Sequence, residues 1–392
     1  MSRDTVLFLT HHLPWPILSG GRRREAELLV RLAPRYDIEV VAVSKVPHTD
    51  RAGIAEAERA GLRVRLFAAE PADHPFRSPL VRQHSSAPAR RYLRHRLTPP
   101  HAPIVHVEGH YLMPLVPARA RAGALLVEHN VESTLLRQHA DAAGGGLPRY
   151  RRLAHVSLTE RAELNAWRQV RLVGALSGED AAIMRRRAPR VSVHMLPSGA
   201  DHLPAPRPAG GLPSPDLLFV ANFGYPPSLD GARLLVSHIF PRVVERHPRA
   251  TLAIVGADPP GWLLAHRDRD PRITLPGWVD DLAAWLATAK LVLCPLRIGG
   301  GIKIKVLEAL AAGKCVVTTS VGAQGFDEPT RRAFVVRDDA DSFAGAVADL
   351  LDRAELRSLH EDRARTAAAS LPSWEQAAHS LAECWRVLSG PE

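Results

Sequence analysis

The sequence predicts an α/β protein of two domains, each built on a parallel sheet. Short apolar runs alternate with helix-forming segments along the whole 392-residue chain, as in parallel sheets that carry helices on both faces. A chain of this length is also longer than one hydrophobic core usually requires. Residues 204–215 contain five prolines, which is typical of a linker between domains.

The predicted strands follow this alternation. In the first half we expect strands at 6–10, 38–44, 64–67, 104–107, 125–127, 172–176 and 191–196. In the second half we expect them at 217–220, 251–255, 273–275, 291–295, 316–319 and 333–336. Ligands of parallel α/β sheets bind at the carboxyl ends of the strands. We therefore expect the glycine loops at 20–21 and 299–301 to line ligand sites.

The composition excludes several classes of protein. No apolar run approaches the roughly 20 residues of a membrane span. The N-terminus leads directly into a strand, so we expect a cytoplasmic enzyme without a signal peptide. Three widely spaced cysteines predict reduced core thiols. Histidines, cysteines and carboxylates show no metal-ligand spacing along the chain, so we expect no metal site.

The net charge of +10 is concentrated in the first half of the chain. Residues 1–197 carry 30 basic and 18 acidic side chains, and residues 74–107 contain six arginines and no acidic residue. Prolines interrupt this segment, so we expect a basic flap with little regular structure. It either stays solvated or contacts an acidic partner or an anionic membrane surface at the inner face. Without a recognisable nucleic-acid module, we expect no nucleic-acid partner.

The segment 295–308 carries the strongest functional signal. It passes through three consecutive glycines into a helix that we predict over 303–312. Backbone N–H groups at such a helix start can hold an anion. Lys305 and Glu308 lie three positions apart and so share one helix face. The site offers amides and an ammonium for phosphates and a carboxylate for vicinal hydroxyls. This predicts a nucleotide-sugar pocket, with a plain strand-to-helix turn as the alternative.

Residues 299–309 read Gly-Gly-Gly-Ile-Lys-Ile-Lys-Val-Leu-Glu-Ala. This run resembles the donor-site signature of the glycosyltransferase group 1 superfamily, the retaining GT-B enzymes, in its triple-glycine branch. Other segments also resemble motifs of that family, in the same order along the chain: 14–21, 128–133, 197–201, 219–226, 251–256, 277–281 and 316–325.

The resemblance implies a GT-B fold, with two Rossmann-like domains facing each other across a cleft. The implied boundaries are an N-terminal acceptor domain at 1–200, a linker at 201–215, a donor domain at 216–372 and a C-terminal helix at 373–392 that packs back on the first domain. The implied reaction is retaining and metal-independent, with no cofactor. It moves a hexose or N-acetylhexosamine from a nucleotide diphosphate sugar, usually UDP-linked, to an acceptor hydroxyl on a small natural product, lipid carrier or glycan.

The same resemblance implies roles for individual residues. Lys305 stabilises the leaving diphosphate, and Glu308 holds the ribose hydroxyls. His129 follows a predicted strand and serves the sugar hydroxyls or the donor phosphate, or else caps the next helix. Glu108 and His110 are candidate acceptor or sugar contacts, with a purely structural role as the alternative for both. The implied donor-binding residues are Gly20, Gly21, Gly299, Gly300, Gly301, Ile302, Lys303, Lys305 and Glu308.

Two positions depart from the family pattern. Gly300 stands where many members have a glutamate, and residues 221–230 lack the Arg and Lys that often bind the diphosphate. The second departure shifts the expected positive charge onto Lys303 and Lys305. The alternatives to a transferase are a nucleotide-sugar epimerase or related GT-B enzyme that does not transfer sugar, and a catalytically idle nucleotide-sugar-binding protein.

Overall fold

The computed structural model describes residues 3–72, 74, 76–99, 103–141, 147–203 and 212–390. The chain divides into two compact units, residues 1–199 with 374–392 and residues 200–373. Each unit contains one sheet, and all strand pairs are parallel. Residues 204–211, most of the predicted linker, lie outside the described residues.

The strands of the first sheet have the order β3-β2-β1-β4-β5-β6-β7. They are β1 (Thr5–Thr10), β2 (Asp37–Ser44), β3 (Arg63–Ala68), β4 (Ile104–Glu108), β5 (Ala124–Glu128), β6 (Leu172–Ala175) and β7 (Ser192–Met195). The second sheet has the order β10-β9-β8-β11-β12-β13. Its strands are β8 (Leu217–Val220), β9 (Leu252–Val255), β10 (Ile273–Gly277), β11 (Leu291–Cys294), β12 (Cys315–Thr318) and β13 (Phe334–Val336).

The helices alternate with the strands. In the first unit they are α1 (Gly20–Leu32), α2 (Pro47–Arg51), α3 (Ile54–Arg59), α4 (Pro79–Gln83), α5 (Ala87–Arg96), α6 (Ala118–Arg121), α7 (Glu132–Asp141), α8 (Leu147–Trp167) and α9 (Gly178–Arg187), with a 3₁₀ helix at His110–Leu115. In the second unit they are α10 (Pro226–Leu234), α11 (Phe240–Arg246), α12 (Gly261–Arg269), α13 (Leu282–Thr288), α14 (Ile304–Ala311), α15 (Glu328–Arg331), α16 (Ala340–Asp352) and α17 (Ala354–Ala368), with a π-helical turn at Leu235–Ile239. The last helix, α18 (Trp374–Ser389), belongs to the first unit.

The predicted fold class is confirmed, because both halves are parallel sheets with helices between successive strands. Apolar strand residues fill the sheets: Leu7, Phe8 and Leu9 of β1 are fully buried. The cysteines Cys294, Cys315 and Cys384 are free and buried. No helix in the described part of the chain is long and apolar enough to cross a membrane.

The basic segment 74–107 differs from the prediction. Instead of an irregular flap, its described residues include α4, α5 and the start of β4. Pro79 and Pro88 occupy first-turn positions of α4 and α5, where proline removes no helical hydrogen bond. The guanidinium of Arg96 donates from Nε to Glu39 Oε2 over 2.9 Å. Pro75 and Pro100, two of the prolines on which the prediction depended, lie outside the described residues.

Helix α18 completes the core of the first unit. Trp374, Leu381 and Trp385 are fully buried and pack in one cluster with residues of α1 and β1. The Trp385 indole stands edge-on to the ring of Tyr36, with ring centroids 5.0 Å apart. This end of the chain therefore stabilises a sheet that begins more than 360 residues earlier in the sequence.

We expect Trp385→Ala to destabilise the first unit by about 3–5 kcal/mol, because a large buried side chain leaves a cavity. Denaturant unfolding, followed by circular dichroism, measures the change. Val387→Ala is the matched control on the same helix: this side chain is 45% exposed, so its truncation should change stability by no more than about 0.5 kcal/mol. Equal effects of the two substitutions would contradict the role given to α18.

Candidate functional site

The glycine loop of the second unit joins β11 to α14 at the carboxyl edge of the sheet. Gly301 has φ +60°, a left-handed conformation that side chains other than glycine rarely adopt. Gly325 has φ +87°, and a Cβ added there would lie 2.9 Å from Ile302 Cα. Glycine therefore permits the left-handed turn at 301 and the close approach of two backbone segments at 325. The helix begins at Ile304, close to the predicted start.

Lys303 supports the loop from inside. Its ammonium donates to the carbonyl oxygens of Gly300 and Gly301 over 3.1 and 2.8 Å, and the side chain is buried. Lys303 is also the N-cap residue of α14, where its side chain makes no capping hydrogen bond. The first turn of α14 thus lacks the side-chain acceptor that usually caps a helix. Lys303 thus contacts the loop's own carbonyls, and its role in donor binding stays a prediction.

Lys305 lies on the first turn of α14. Its Nζ donates to Ser228 Oγ over 3.3 Å and lies 5.0 Å from the centroid of the Phe219 ring. Burial lowers the pKa of Lys305, while the nearby Cys294 and Glu308 oppose that shift. These neighbours neutralise the positive charge of the ammonium only in part, because a hydroxyl and a ring face carry no full negative charge.

Glu308 is nine-tenths buried one turn further along α14. His202 Nε2 lies 2.9 Å from Glu308 Oε1, and the two belong to the same unit. The sequence pattern identified Glu308 but not His202, which follows the family-like motif at 197–201 by a single residue. The 106 positions between the two residues explain the omission.

An ion pair flanks the glycine loop. Arg297, whose side chain is half exposed, donates from Nη2 and Nε to Asp230 over 2.5 and 3.0 Å. The segment 221–230, which lacks the expected Arg and Lys, thus contributes a carboxylate at this position. Arg297 is therefore neutralised by its partner, whereas the ammonium of Lys305 donates to a hydroxyl.

In the first unit, Glu108 forms the centre of a second polar cluster. It ends β4, is fully buried, and contacts His129 Nε2 at 2.6 Å, His106 Nε2 at 2.9 Å and Arg24 Nη1 at 3.4 Å. Burial alone would raise the pKa of Glu108, but His129 and His106 hold it well below its usual range. The structure thus brings together Glu108 and His129, two of the predicted sugar or acceptor contacts.

The tautomer of His106 follows from its partners. The indole Nε1–H of Trp385, which can only donate, lies 3.0 Å from His106 Nδ1. Nδ1 therefore accepts, and Nε2 carries the proton that is donated to Glu108. Helix α18 in this way helps to orient the carboxylate. The sequence pattern gave no sign of His106 and Trp385, because their 279-residue separation leaves no local signal.

His129 lies against the first glycine loop. A Cβ added to Gly21 would be 3.6 Å from His129 Nδ1, so the loop and the imidazole are close neighbours. Burial disfavours the charged ring, yet the Glu108 carboxylate outweighs it and raises the pKa of His129. Gly20 begins α1, after the N-cap Ser19. The loop, Glu108 and His129 thus share one edge of the first sheet.

His110 belongs to a separate network. Its Nδ1 lies 3.2 Å from the Glu128 carboxylate, which also accepts from the Trp167 indole over 2.9 Å. Burial opposes the charged ring, but Glu128 raises the pKa of His110 to about 9. His110 and Glu128 are both buried. The geometry favours a structural ion pair for His110 over the predicted sugar contact.

Folding also gathers residues that sequence spacing could not connect. One ring nitrogen each of His11 and His12 and one oxygen of Glu25 lie within 4.8 Å of one another. Glu25, Glu108 and His129 form a similar group. Sequence spacing alone did not predict these two groups.

Residues 214–353 match the family model described as "Glycosyl transferases group 1". No curated protein matches the chain. Among solved structures, sucrose-phosphate synthase from Thermosynechococcus elongatus has a TM-score of 0.75 at 16% identity, covering 98% of this chain and 99% of that one. Anabaena HepE, in complex with UDP and glucose, has a TM-score of 0.68 at 15% sequence identity, and the match covers 98% of this chain and 100% of that one. WaaG, a glycosyltransferase involved in lipopolysaccharide biosynthesis, has a TM-score of 0.67 at 16% sequence identity, with the same coverage of both chains.

The second unit contains a glycosyl transferases group 1 domain. The whole chain has the GT-B fold. The predicted fold is confirmed over both units, and the predicted family is confirmed for residues 214–353, which include the triple-glycine segment. The assignment of individual site residues stays a prediction.

One buried carboxyl of the first unit predicts a pH dependence of stability. Glu163 of α8 accepts from the backbone N and Oγ of Ser133 over 2.9 and 2.5 Å, and it is fully buried. Burial raises the pKa of Glu163 to about 7. In the unfolded chain a glutamate titrates near 4.3. The folded state therefore binds the extra proton between these values, and stability falls as pH rises from about 4.5 to 7.

We expect Glu163→Gln to remove this part of the pH dependence, which amounts to about 3 kcal/mol. Relative to the wild type, the variant should gain stability between pH 5 and pH 8 in denaturant unfolding. Glu160→Gln, on the same helix and partly exposed, is the control and should keep the wild-type slope. If Glu163→Gln also keeps that slope, the carboxyl titrates normally in the folded protein.

Proposed function

We propose that the protein is a retaining glycosyltransferase that moves a hexose or N-acetylhexosamine from a UDP-linked sugar to an acceptor hydroxyl. The observation that supports this most is the pairing of Lys305 and Glu308 on α14, directly after the glycine loop. One is a partly compensated ammonium, and the other is a nine-tenths buried carboxylate. A nucleotide diphosphate requires both a cation for phosphate and an acceptor for ribose hydroxyls.

The donor site is formed by the second unit. Backbone N–H groups at 299–301 and the first turn of α14 would hold the diphosphate, since the N-cap side chain of Lys303 provides no competing acceptor. Lys305 would complete this anion site. His202 engages Glu308 Oε1, so Oε2 would accept from the ribose. The matched HepE structures contain UDP and UDP-glucose, which supports the choice of a UDP-sugar.

In the proposed reaction, the bond between the anomeric carbon and the phosphate oxygen breaks, and the acceptor oxygen bonds to the same face. The proton of the acceptor hydroxyl moves to the departing phosphate, so no protein base is required. Lys305 and the loop amides stabilise the growing negative charge, and this interaction is stronger in the transition state than in the ground state. The step uses no metal ion, so turnover should not depend on added Mg²⁺ or Mn²⁺.

The first unit would contact the transferred sugar and the acceptor. His129 is oriented by Glu108 through Nε2, which leaves Nδ1 beside the Gly21 loop. We propose that this nitrogen binds a sugar hydroxyl or the donor phosphate. The acceptor would be a small natural product, a lipid carrier or a glycan, and the enzyme would be cytoplasmic.

Incubation with a panel of UDP-sugars and acceptors, analysed by mass spectrometry and NMR, tests the proposal. A glycoside with retained anomeric configuration is the expected product. An inverted glycoside would exclude the retaining mechanism. A converted UDP-sugar without transfer would favour an epimerase, and an unchanged donor bound by the folded protein would favour an idle binding protein.

We expect Glu308→Gln to weaken UDP affinity about 10-fold or more, because hydrogen bonds to a charged acceptor contribute about 1.5–3 kcal/mol each. Isothermal calorimetry measures the affinity, and circular dichroism verifies the fold. Glu355→Gln changes an exposed glutamate of α17 and should leave affinity unchanged. Wild-type UDP affinity in folded Glu308→Gln would refute the ribose assignment.

For Lys305→Ala we expect turnover to fall by ~100-fold or more, with a smaller effect on donor affinity, because the ammonium faces the departing diphosphate. Steady-state kinetics separates kcat from KM. Lys290→Ala is the control, since Lys290 is half exposed and pairs with Asp216. A normal kcat in Lys305→Ala together with a loss in Lys303→Ala would mean that the leaving group contacts the other lysine.

The basic segment 74–107 would contact an anionic acceptor or membrane surface. Arg91 and Arg94 of α5 are exposed and Arg90 is partly so, and each could add about 1 kcal/mol at such a surface, screened by salt. Replacing these three with Gln should raise the acceptor KM or abolish binding to anionic vesicles, with UDP affinity unchanged. A second triple variant, at exposed Arg161, Arg186 and Arg190, has the same charge change. Equal behaviour of both variants would mean that the segment is simply solvated.

A further inference from the structure

The loop after β1 brings three potential metal ligands together inside the first unit. One ring nitrogen of His11, one of His12 and one carboxylate oxygen of Glu25 lie within 4.8 Å of one another. His11 and His12 directly follow β1, and Glu25 lies on α1. Ligand atoms bonded to one zinc ion at 2.0–2.2 Å are separated by at most roughly 4.4 Å. Small side-chain adjustments therefore suffice for a common ion.

Two of these atoms face each other. His12 Nε2 and Glu25 Oε1 lie 3.2 Å apart as an ion pair, close to the edge of about 3.3 Å that a tetrahedral zinc site with 2.0–2.1 Å bonds requires. Apart from that contact, both are buried atoms for which the described part of the chain provides no hydrogen bond. Glu25 is fully buried, and buried carboxylates are normally paired or coordinate metals.

Neighbouring hydroxyls hold Glu25 and His11 in place. Thr10 Oγ1 donates to Glu25 Oε2 over 2.9 Å, which directs Oε1 toward His12. The Tyr111 hydroxyl lies 2.9 Å from His11 Nδ1 and helps to orient that ring. Outer partners of this kind orient ligands in metal sites.

The neighbouring group of Glu25, Glu108 and His129 is a weaker alternative. Glu108 and His129 already bind each other at 2.6 Å, and Arg24 lies 3.4 Å from the same carboxylate. Glu108 thus has cationic partners without a metal. His129 Nε2 is 3.9 Å from Glu25 Oε1, so His129 borders the first group without replacing one of its members.

We propose that His11, His12 and Glu25 form a binding site for Zn²⁺. Two imidazoles and one carboxylate suit zinc, which is usually tetrahedral and leaves a fourth position for water or a ligand oxygen. The ion would neutralise the buried charge of Glu25 and join the end of β1 to α1. The site rests on the first unit alone and does not depend on the proposed sugar transfer.

Zinc binding to the untagged, chelator-treated and dialysed full chain tests the proposal. Calorimetry with Zn²⁺ should give one site per chain with a submicromolar Kd. Co²⁺ in its place should give the visible d–d absorption of a tetrahedral ion. His12→Gln and Glu25→Gln should each weaken Zn²⁺ binding at least about 100-fold, because a direct ligand matters no less than an outer partner.

Two variants serve as controls. His379→Gln removes an exposed histidine that lies 3.3 Å from Glu383 on α18, an arrangement typical of adventitious surface binding. His129→Gln disrupts the neighbouring group. Both should retain the wild-type stoichiometry and affinity. Circular dichroism verifies the fold of each variant. If Glu25→Gln does not fold, the Zn²⁺ affinity of His12→Gln tests the proposal.

Three results would overturn the proposal. The first is a folded wild-type chain that binds Zn²⁺ no tighter than micromolar. The second is wild-type affinity in His12→Gln. The third is loss of the ion in His129→Gln or His379→Gln with retention in His12→Gln, because the ion would then occupy the neighbouring group or the surface.

Discussion

Parallel strand pairing is the constraint on which both candidate sites depend. It forces every loop that follows a strand to the same edge of its sheet. In the first unit, β1, β4 and β5 are consecutive in the sheet, and the residues at or just after their ends include His11, Glu108 and His129. In the second unit, the same rule places the loop after β11 between those after β8 and β12. Polar residues far apart in sequence thereby become neighbours.

The partners of each buried charged group then determine which of these atoms can bind a ligand. Glu108 is surrounded by His106, His129 and Arg24, so its carboxylate is fully engaged. Glu308 has one oxygen engaged by His202. The ammonium of Lys303 is held by loop carbonyls, whereas that of Lys305 meets a hydroxyl and an aromatic face. Two lysines of one motif thus have different immediate partners, and this difference is the basis of the separate roles proposed for them.

The sequence predicted the strands, the glycine loop and the face shared by Lys305 and Glu308, since these depend on short-range periodicity. It did not predict His202 or Glu25, whose importance arises from contacts across the fold. The regular structure of 74–107 was also missed, because prolines in the first turn of a helix look like interruptions in a linear sequence. For His110, position after a strand suggested a ligand contact, and the buried partner Glu128 changes that interpretation.

A nucleotide site formed around α14 of the second unit is central to the proposed function. A crystal structure of the protein with UDP tests it most directly. We expect the diphosphate at the 299–301 loop beside the Lys305 ammonium, with the ribose hydroxyls at Glu308 Oε2. UDP bound to another edge of the molecule, or a diphosphate remote from Lys305 with Glu308 in contact only with His202, would contradict this assignment.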